Sequence, residues 1–340
     1  MFSRTGTMVH RPSGVSVEMP LLVPAFSSKG FGVATGRDSE LAKLLLATIE
    51  FLTGTYLISA YDLRHGLIPP PQDLPMLPEL VVIDSGGYEI SEDDDLSAPR
   101  AAAAAAGDWT QEFHAEVLSS WPSEVPAVFV TYDHPKDRRP VADQIASARE
   151  QVRRHPGQLH CFLIKPEKSD HKTSESALKT VIASPEELRS FDVVGVTEKE
   201  LGPSFMDRMV AIARLRRALD EGGVNAPIHV FGSLDPVSVC LYYLSGAEVF
   251  DGLTWLRYGY ADDRCVYLHN HAALSYELRV SDYHNRLRVL SSNYYYLGRL
   301  QERLRDFASD GDFSHLPHPR LLREACDRLR RRLTKGGRGR

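Results

Sequence analysis

The sequence predicts an α/β chain folded as a (β/α)8 barrel, the TIM-barrel architecture. Three observations predict it. Eight short apolar runs recur along the chain, and most are separated by segments with helical spacing. The runs carry few polar interruptions, as strands covered by helices on both faces must. A doubly wound open sheet is the rival arrangement, and the count of eight favours the barrel.

In chain order the runs are "LLVPAF" (Leu21 to Phe26), "YLISAYDL" (Tyr56 to Leu63), "LVVIDSGG" (Leu80 to Gly87) and "PAVFVTYDHP" (Pro126 to Pro135). "LHCFLIKPE" (Leu159 to Glu167), "FDVVGVTEKE" (Phe191 to Glu200), "IHVFGSLDP" (Ile228 to Pro236) and "EVFDGLTWLR" (Glu248 to Arg257) complete the set. Helices are expected at Arg37 to Leu52, Val141 to His155 and Ser204 to Gly223. The last opens with Ser204 and Asp207 in capping-box spacing and closes on Gly222 and Gly223. "HGLIPPPQDLPMLP" (His65 to Pro78) holds too much proline for a regular helix, so the second unit should be irregular. "SEDDDLSAPRAAAAAAGD" (Ser91 to Asp108) turns from acidic to alanine-rich and reads as an insertion after the third strand.

Beyond the eighth run the chain continues in extra C-terminal helices. In "NYYYLGRLQERLRDF", Tyr296, Leu297, Leu300, Leu304 and Phe307 share one helical face. We therefore divide the chain into a barrel domain, 1–310, and a basic helical tail, 311–340. The tail reads either as a solvated helix or as a contact for phosphate groups.

Composition limits the function classes. Of 340 residues, 43% are hydrophobic and 25% charged, enough for a sizeable core. The formal net charge of -5 argues against a surface coated in positive potential, though a local basic groove can still bind nucleic acid. Cys161, Cys240, Cys265 and Cys326 form no CxxC and no disulfide ladder. With no signal peptide and no bilayer-length apolar run, the expected location is the cytoplasm and no membrane partner is expected.

In a parallel barrel, the C-terminal strand ends build the active site. That rim would carry Asp84, Asp133, Lys165, Glu198, Asp235 and Asp251. Asp235 before Pro236 reads as a helix N-cap. Asp133 also fits a turn, Glu198 an exposed loop charge, and "FDG" around Asp251 a turn. Asp84 stands apart because Gly86 and Gly87 follow it, which allows close approach of a flat ligand, and Asp251 because Phe250, Gly252, Trp255 and Arg257 around it offer an apolar wall and a cation beside the acid. Two acids facing one cavity suit general acid/base work, or attack by one carboxylate on an anomeric carbon while the other moves protons. Glycosyl transfer is thus the first expectation.

These residues also carry a resemblance. "VVIDSGGYEI" resembles the "DSGGFQ" signature of the tRNA-guanine transglycosylase (queuine/archaeosine tRNA-ribosyltransferase) family, and "GAEVFDGLTWLRYG" its "GvDmFDCvlPTRnaR" segment. "SVEMPLLVPAFSSKGF", "VVGVTEKE", "IHVFGSLDP" and "NYYYLGRLQERLRDFASDGDF" are similar to further family segments in the family's order, covering nearly the whole chain. The resemblance implies Asp251 as nucleophile at C1′ and Asp84 as the group handling the proton of the incoming base. It implies Tyr88 stacking on that base, Asp133 reading its edge and the Gly195 backbone adding a hydrogen bond. With Ser85, Gly86, Gly87 and Arg257 these form the implied substrate-binding set.

The chain departs from the family in definite places. The family's zinc-binding "CxCxxC" is absent and Ser292 replaces its later histidine, so no metal cofactor is expected. "DRCVYLHNHA", with Cys265, His269 and His271, reads as a histidine-rich loop. Glu89 replaces the family's glutamine, "LIKPEK" lacks its "VQGG", and "TWLR" keeps only the arginine. The resemblance implies exchange of guanine in a polynucleotide, DNA slightly ahead of tRNA, for a 7-deazaguanine such as preQ0, with homo- or hetero-dimerisation left open. A non-catalytic partner or nucleic-acid-binding subunit is the alternative. A barrel glycosidase is a third reading, against which the DSGG turn stands.

Overall fold

The computed structural model describes residues 2–29, 31, 34–92, 107–168, 172–276 and 278–335. The chain opens with an antiparallel pair that the strand reading did not contain, β1 (Gly6–His10) and β2 (Val15–Met19). Then come β3 (Leu21–Phe26), β4 (Thr55–Ser59), β5 (Leu80–Asp84), β6 (Ala127–Val130), β7 (Leu159–Ile164), β8 (Val193–Thr197), β9 (Ile228–Phe231) and β10 (Val249–Gly252). These eight run parallel in chain order, and β10 pairs with β3 to close the ring. Closure excludes the open sheet. Each strand falls within its apolar run except β4, which starts one residue early at Thr55 and stops at Ser59, the rest of that run, Ala60 to Leu63, being helical.

The N-terminal hairpin covers the lower mouth. Its alternation buries Met8, His10, Val17 and Met19. His10 Nε2 lies 3.1 Å from Gln158 Oε1, at the foot of β7. Arg4 pairs with buried Glu248 at the foot of β10.

Helices α1 (Glu40–Thr48), α2 (Ala60–Arg64), α3 (Gln111–Ser120), α4 (Val141–Arg154), α5 (Glu175–Ala183), α6 (Phe205–Glu221) and α7 (Pro236–Tyr243) follow successive strands. The Ser39 hydroxyl accepts from Ala42 N and so starts α1 inside the expected segment. The second unit is irregular, as its prolines require: α2 is one short turn and Pro71–Asp73 form a 3-10 turn. At α6, Ser204 Oγ accepts from Asp207 N at 3.2 Å, and the Asp207 carboxylate takes the Ser204 hydroxyl instead of closing back on the backbone. Asp235 caps α7 by accepting from Val237 N and Ser238 N at 2.9 and 3.0 Å.

After β10 the chain forms α8 (Thr254–Arg257), β11 (Tyr258–Ala261), β12 (Arg264–Tyr267) and α9 (Leu268–Ser275). The stretch read as a histidine-rich loop is therefore a strand followed by a helix. β11 and β12 are joined by Asp262 and Asp263 at φ 49° and 60°, the left-handed pair that a two-residue hairpin turn needs. Helix α10 (Asp282–Asp310) buries Tyr296, Leu297, Leu300, Leu304 and Phe307 and stops at Gly311 in the left-handed region. Helix α11 (Pro319–Lys335) buries Leu322, Cys326 and Leu329 against the barrel and exposes its arginines.

Most of the expected insertion, residues 93–106, and the tail's last residues, 336–340, lie outside the described residues. Among the described residues, no helix is long and apolar enough to cross a membrane.

Candidate active site

Asp84 ends β5 and Asp251 is the third residue of β10, so both reach the C-terminal rim. They line one cavity with Ser85, Gly87, Tyr88, Glu89 and Asp133. Leu57, Leu163, Phe231 and Leu253 give it apolar walls. Of the residues expected at the site, Gly86, Gly195 and Arg257 do not line it.

The two glycines after Asp84 have a cause that the sequence did not reveal. Gly86 adopts φ 82°, and a β-carbon there would meet the Trp109 indole at 2.6 Å. That indole donates from Nε1 to Ser85 O at 3.0 Å and so fixes the turn. A β-carbon on Gly87 would meet Asp133 Oδ2 at 2.5 Å. Internal packing is by itself enough to demand both glycines. Gly195 sits inside β8 between Leu163 of β7 and His229 of β9. The place of its missing side chain is taken by the Phe231 ring, 2.7 Å from an ideal β-carbon.

The lower turn of the rim is acidic. Asp84 is pushed up from 3.8 to about 8, first by burial and then by the negative charges of Glu89 and Asp251. Glu89, also buried, is raised chiefly by burial and accepts from Ser27 Oγ at 2.5 Å. Behind it, Asp62 of α2 is fully buried and held well above the usual carboxylate range by burial and by Glu89. Ser28 N donates to Asp62 Oδ2 at 2.9 Å, while no described donor reaches Oδ1. Three carboxyl groups so placed cannot all ionise cheaply: burial raises each of them, and the charge of Glu89 adds to it at Asp84 and Asp62.

Asp251 is different. His229 Nε2 lies 2.9 Å from its Oδ1, both side chains being buried. The backbone beyond Asp251 is held from two sides. Trp255 Nε1 donates to Ala25 O at 2.9 Å. Asn293 of α10, fully buried, donates to Trp255 O and Tyr258 O at 2.7 Å each and accepts from Tyr260 N at 2.8 Å. Arg257 thereby reaches Tyr88, its Nη2 being 3.4 Å from the hydroxyl. The Lys29 ammonium lies 4.5 Å from the centre of the Tyr88 ring, over its face.

Asp133 is neither a plain turn residue nor a free acceptor. It is buried, pairs with Arg138, and lies 3.3 Å from Lys165 Nζ, which also meets Glu200 at 2.9 Å. Burial works against the Lys165 charge, but Asp133 and Glu200 outweigh it and raise its pKa. Glu198, read above as a loop charge, is buried and accepts from the Tyr242 hydroxyl at 2.7 Å.

Cys265, His269 and His271 do not converge. Cys265 Sγ faces Asp235 at 3.1 Å, His269 lies beside the Tyr267 ring, and His271 meets Ser275. Among the described residues, no three His, Cys, Asp or Glu side chains are arranged to hold a metal ion.

Sequence reasoning missed His229, Phe231 and Asp62 as residues of the site. A histidine in the middle of "IHVF" was the one available signal, since a polar residue buried in a barrel strand needs a partner. The arrangement as a whole offers two carboxyl groups in unlike surroundings on one cavity, Asp84 with its pKa raised and Asp251 held by His229, over an apolar wall. No protein-family model and no curated protein matches the chain.

Proposed function

We propose that the protein is a base-exchange transglycosylase that replaces guanine in a polynucleotide with a 7-deazaguanine. The observation that carries this reading is the unequal pair on one cavity: Asp84 raised to about 8, Asp251 hydrogen-bonded by His229. An Asp251 oxygen attacks C1′ of an unstacked nucleotide, the C1′–N9 bond breaks, and the departing guanine takes the proton of Asp84. The incoming base then attacks C1′, returns a proton to Asp84 and releases Asp251. Phe231 and Tyr88 supply aromatic surface for the base. DNA is favoured slightly over tRNA on the resemblance noted above, and the fold is common to many chemistries, so the site and not the barrel supports the reading.

The test is incorporation of labelled guanine or preQ0 into DNA and into tRNA by the pure chain. Exchange into one of them, lost in Asp251→Ala, supports the proposal; no exchange into either removes it.

One observation favours a second reading, a partner subunit without turnover. Asp133, expected to read the base, is already engaged by Arg138 and Lys165. Exchange by the pure single chain would reject that reading, and co-purification with an active relative would support it.

A further inference from the structure

The hydrogen bond between His229 and Asp251 is built into the barrel by several neighbours acting together. β9 and β10 run parallel with His229 beside Val249, so Asp251 lies one diagonal step further along the same face. His229 stacks on Phe231, ring centres 3.8 Å apart and planes 25° from parallel. Phe231 in turn occupies the space that glycine leaves at position 195. The imidazole, 1% exposed, thus has its ring plane set by packing before any ligand arrives.

A carboxylate that acts as a nucleophile only accepts, so on that reading of Asp251 Nε2 carries the hydrogen and donates to Oδ1. Among the described residues no donor reaches the other oxygen, Oδ2.

We propose that His229 is a positioning residue for Asp251, holding Oδ1 so that Oδ2 is presented to the sugar carbon. The inference rests on the reading of Asp251 as nucleophile. In the attack, Oδ2 bonds to C1′ as the C1′–N9 bond breaks, and Oδ1 becomes the carbonyl oxygen of the glycosyl ester while still accepting from Nε2. When the incoming base displaces the ester, the electron pair of the C1′–Oδ2 bond returns to the carboxylate. The same N–H then stabilises the charge that reappears, as a fixed donor does at a developing anion. Gly195 serves the reaction through this chain of packing, by making room for Phe231 under the imidazole.

The test compares full-length wild type with His229→Phe and His229→Gln. Phenylalanine keeps an aromatic ring over Phe231 without a donor, and glutamine restores an N–H. The expected result is a fall of about 10²-fold or more in kcat for His229→Phe, the usual loss of one fixed donor, with KM for the base within about twofold. His229→Gln should recover a large part of kcat. In the absence of incoming base, mass spectrometry should find less glycosyl-enzyme formed by His229→Phe. A merely structural role would lower folded yield without separating kcat from KM. Active wild type with an unchanged kcat in His229→Phe overturns this inference alone. Wild type without any exchange overturns the nucleophile reading and this inference with it.

Discussion

The Trp109 indole stands 2.6 Å from the point where a β-carbon on Gly86 would lie. Gly86 also holds φ 82°, a conformation that a side chain resists, so Gly86→Ala meets strain twice. The expected cost is about 1–3 kcal/mol, with Trp109 pushed off Ser85 O and exchange impaired through a displaced Asp84. Urea unfolding and tryptophan fluorescence would check it. An alanine variant with wild-type stability and emission would show that the turn tolerates a side chain.

The raised pKa of Asp84 has a definite sign. Between its ordinary 3.8 and about 8, the folded protein keeps a proton that the unfolded chain has released, so stability falls as pH rises through that window. Asp84→Asn removes this contribution. Relative to wild type, the variant should gain stability as pH rises from roughly 4 to roughly 8, measured by denaturant titration at each pH. A difference that stays flat across that range contradicts the shift.

Lys165 neutralises two buried carboxylates at once. Lys165→Met leaves Asp133 and Glu200 with only Arg138, and the expected loss is about 3–5 kcal/mol at neutral pH, the usual effect of removing one partner from a buried network. A loss below about 1 kcal/mol, the range of exposed pairs, would mean that water does the same work.

Asn293 satisfies three backbone groups of the segment that follows Asp251. Asn293→Ala strands them in the interior at about 1–3 kcal/mol for each group left unpaired. Thermal unfolding should show the loss, and Asn293→Asp, which keeps the acceptor for Tyr260 N but sets a second acceptor against the Trp255 and Tyr258 carbonyls, should not repair it. If alanine is tolerated without change in melting temperature, the tie between α10 and the rim is dispensable.

The eight barrel strands were legible because a strand buried on both faces is written as an unbroken apolar run. Capping residues such as Ser204 and Asp235 act within one turn of chain, which is why their roles could be read locally. The two hairpins were not legible. Gly6–His10 and Arg264–Tyr267 are half exposed, short, and neither continuously apolar nor regularly alternating, so they do not stand out. Within the site, Asp84 and Asp251 could be placed on the rim from the ends of their runs. The partners that define their chemistry could not, since Glu89 and Asp62, Lys165 and Glu200, and His229 and Asp251 are brought together only by the pairing of neighbouring parallel strands. Gly86 and Gly87 show the same limit: their positions were visible, but the side chains that require them come from elsewhere.

Closure itself has a consequence for how the molecule acquires competence. Asp251 lies beside Val23, so its strand joins the first stave of the barrel to the last. A chain emerging from the ribosome carries Asp84 and its acidic neighbours long before β10 is made, with the edge of β3 still open to wrong partners. The stave that seals that edge is the one that delivers Asp251. Topological completion and the arrival of the second carboxylate are therefore one event, and a prematurely terminated chain is left both open-edged and without its second acid.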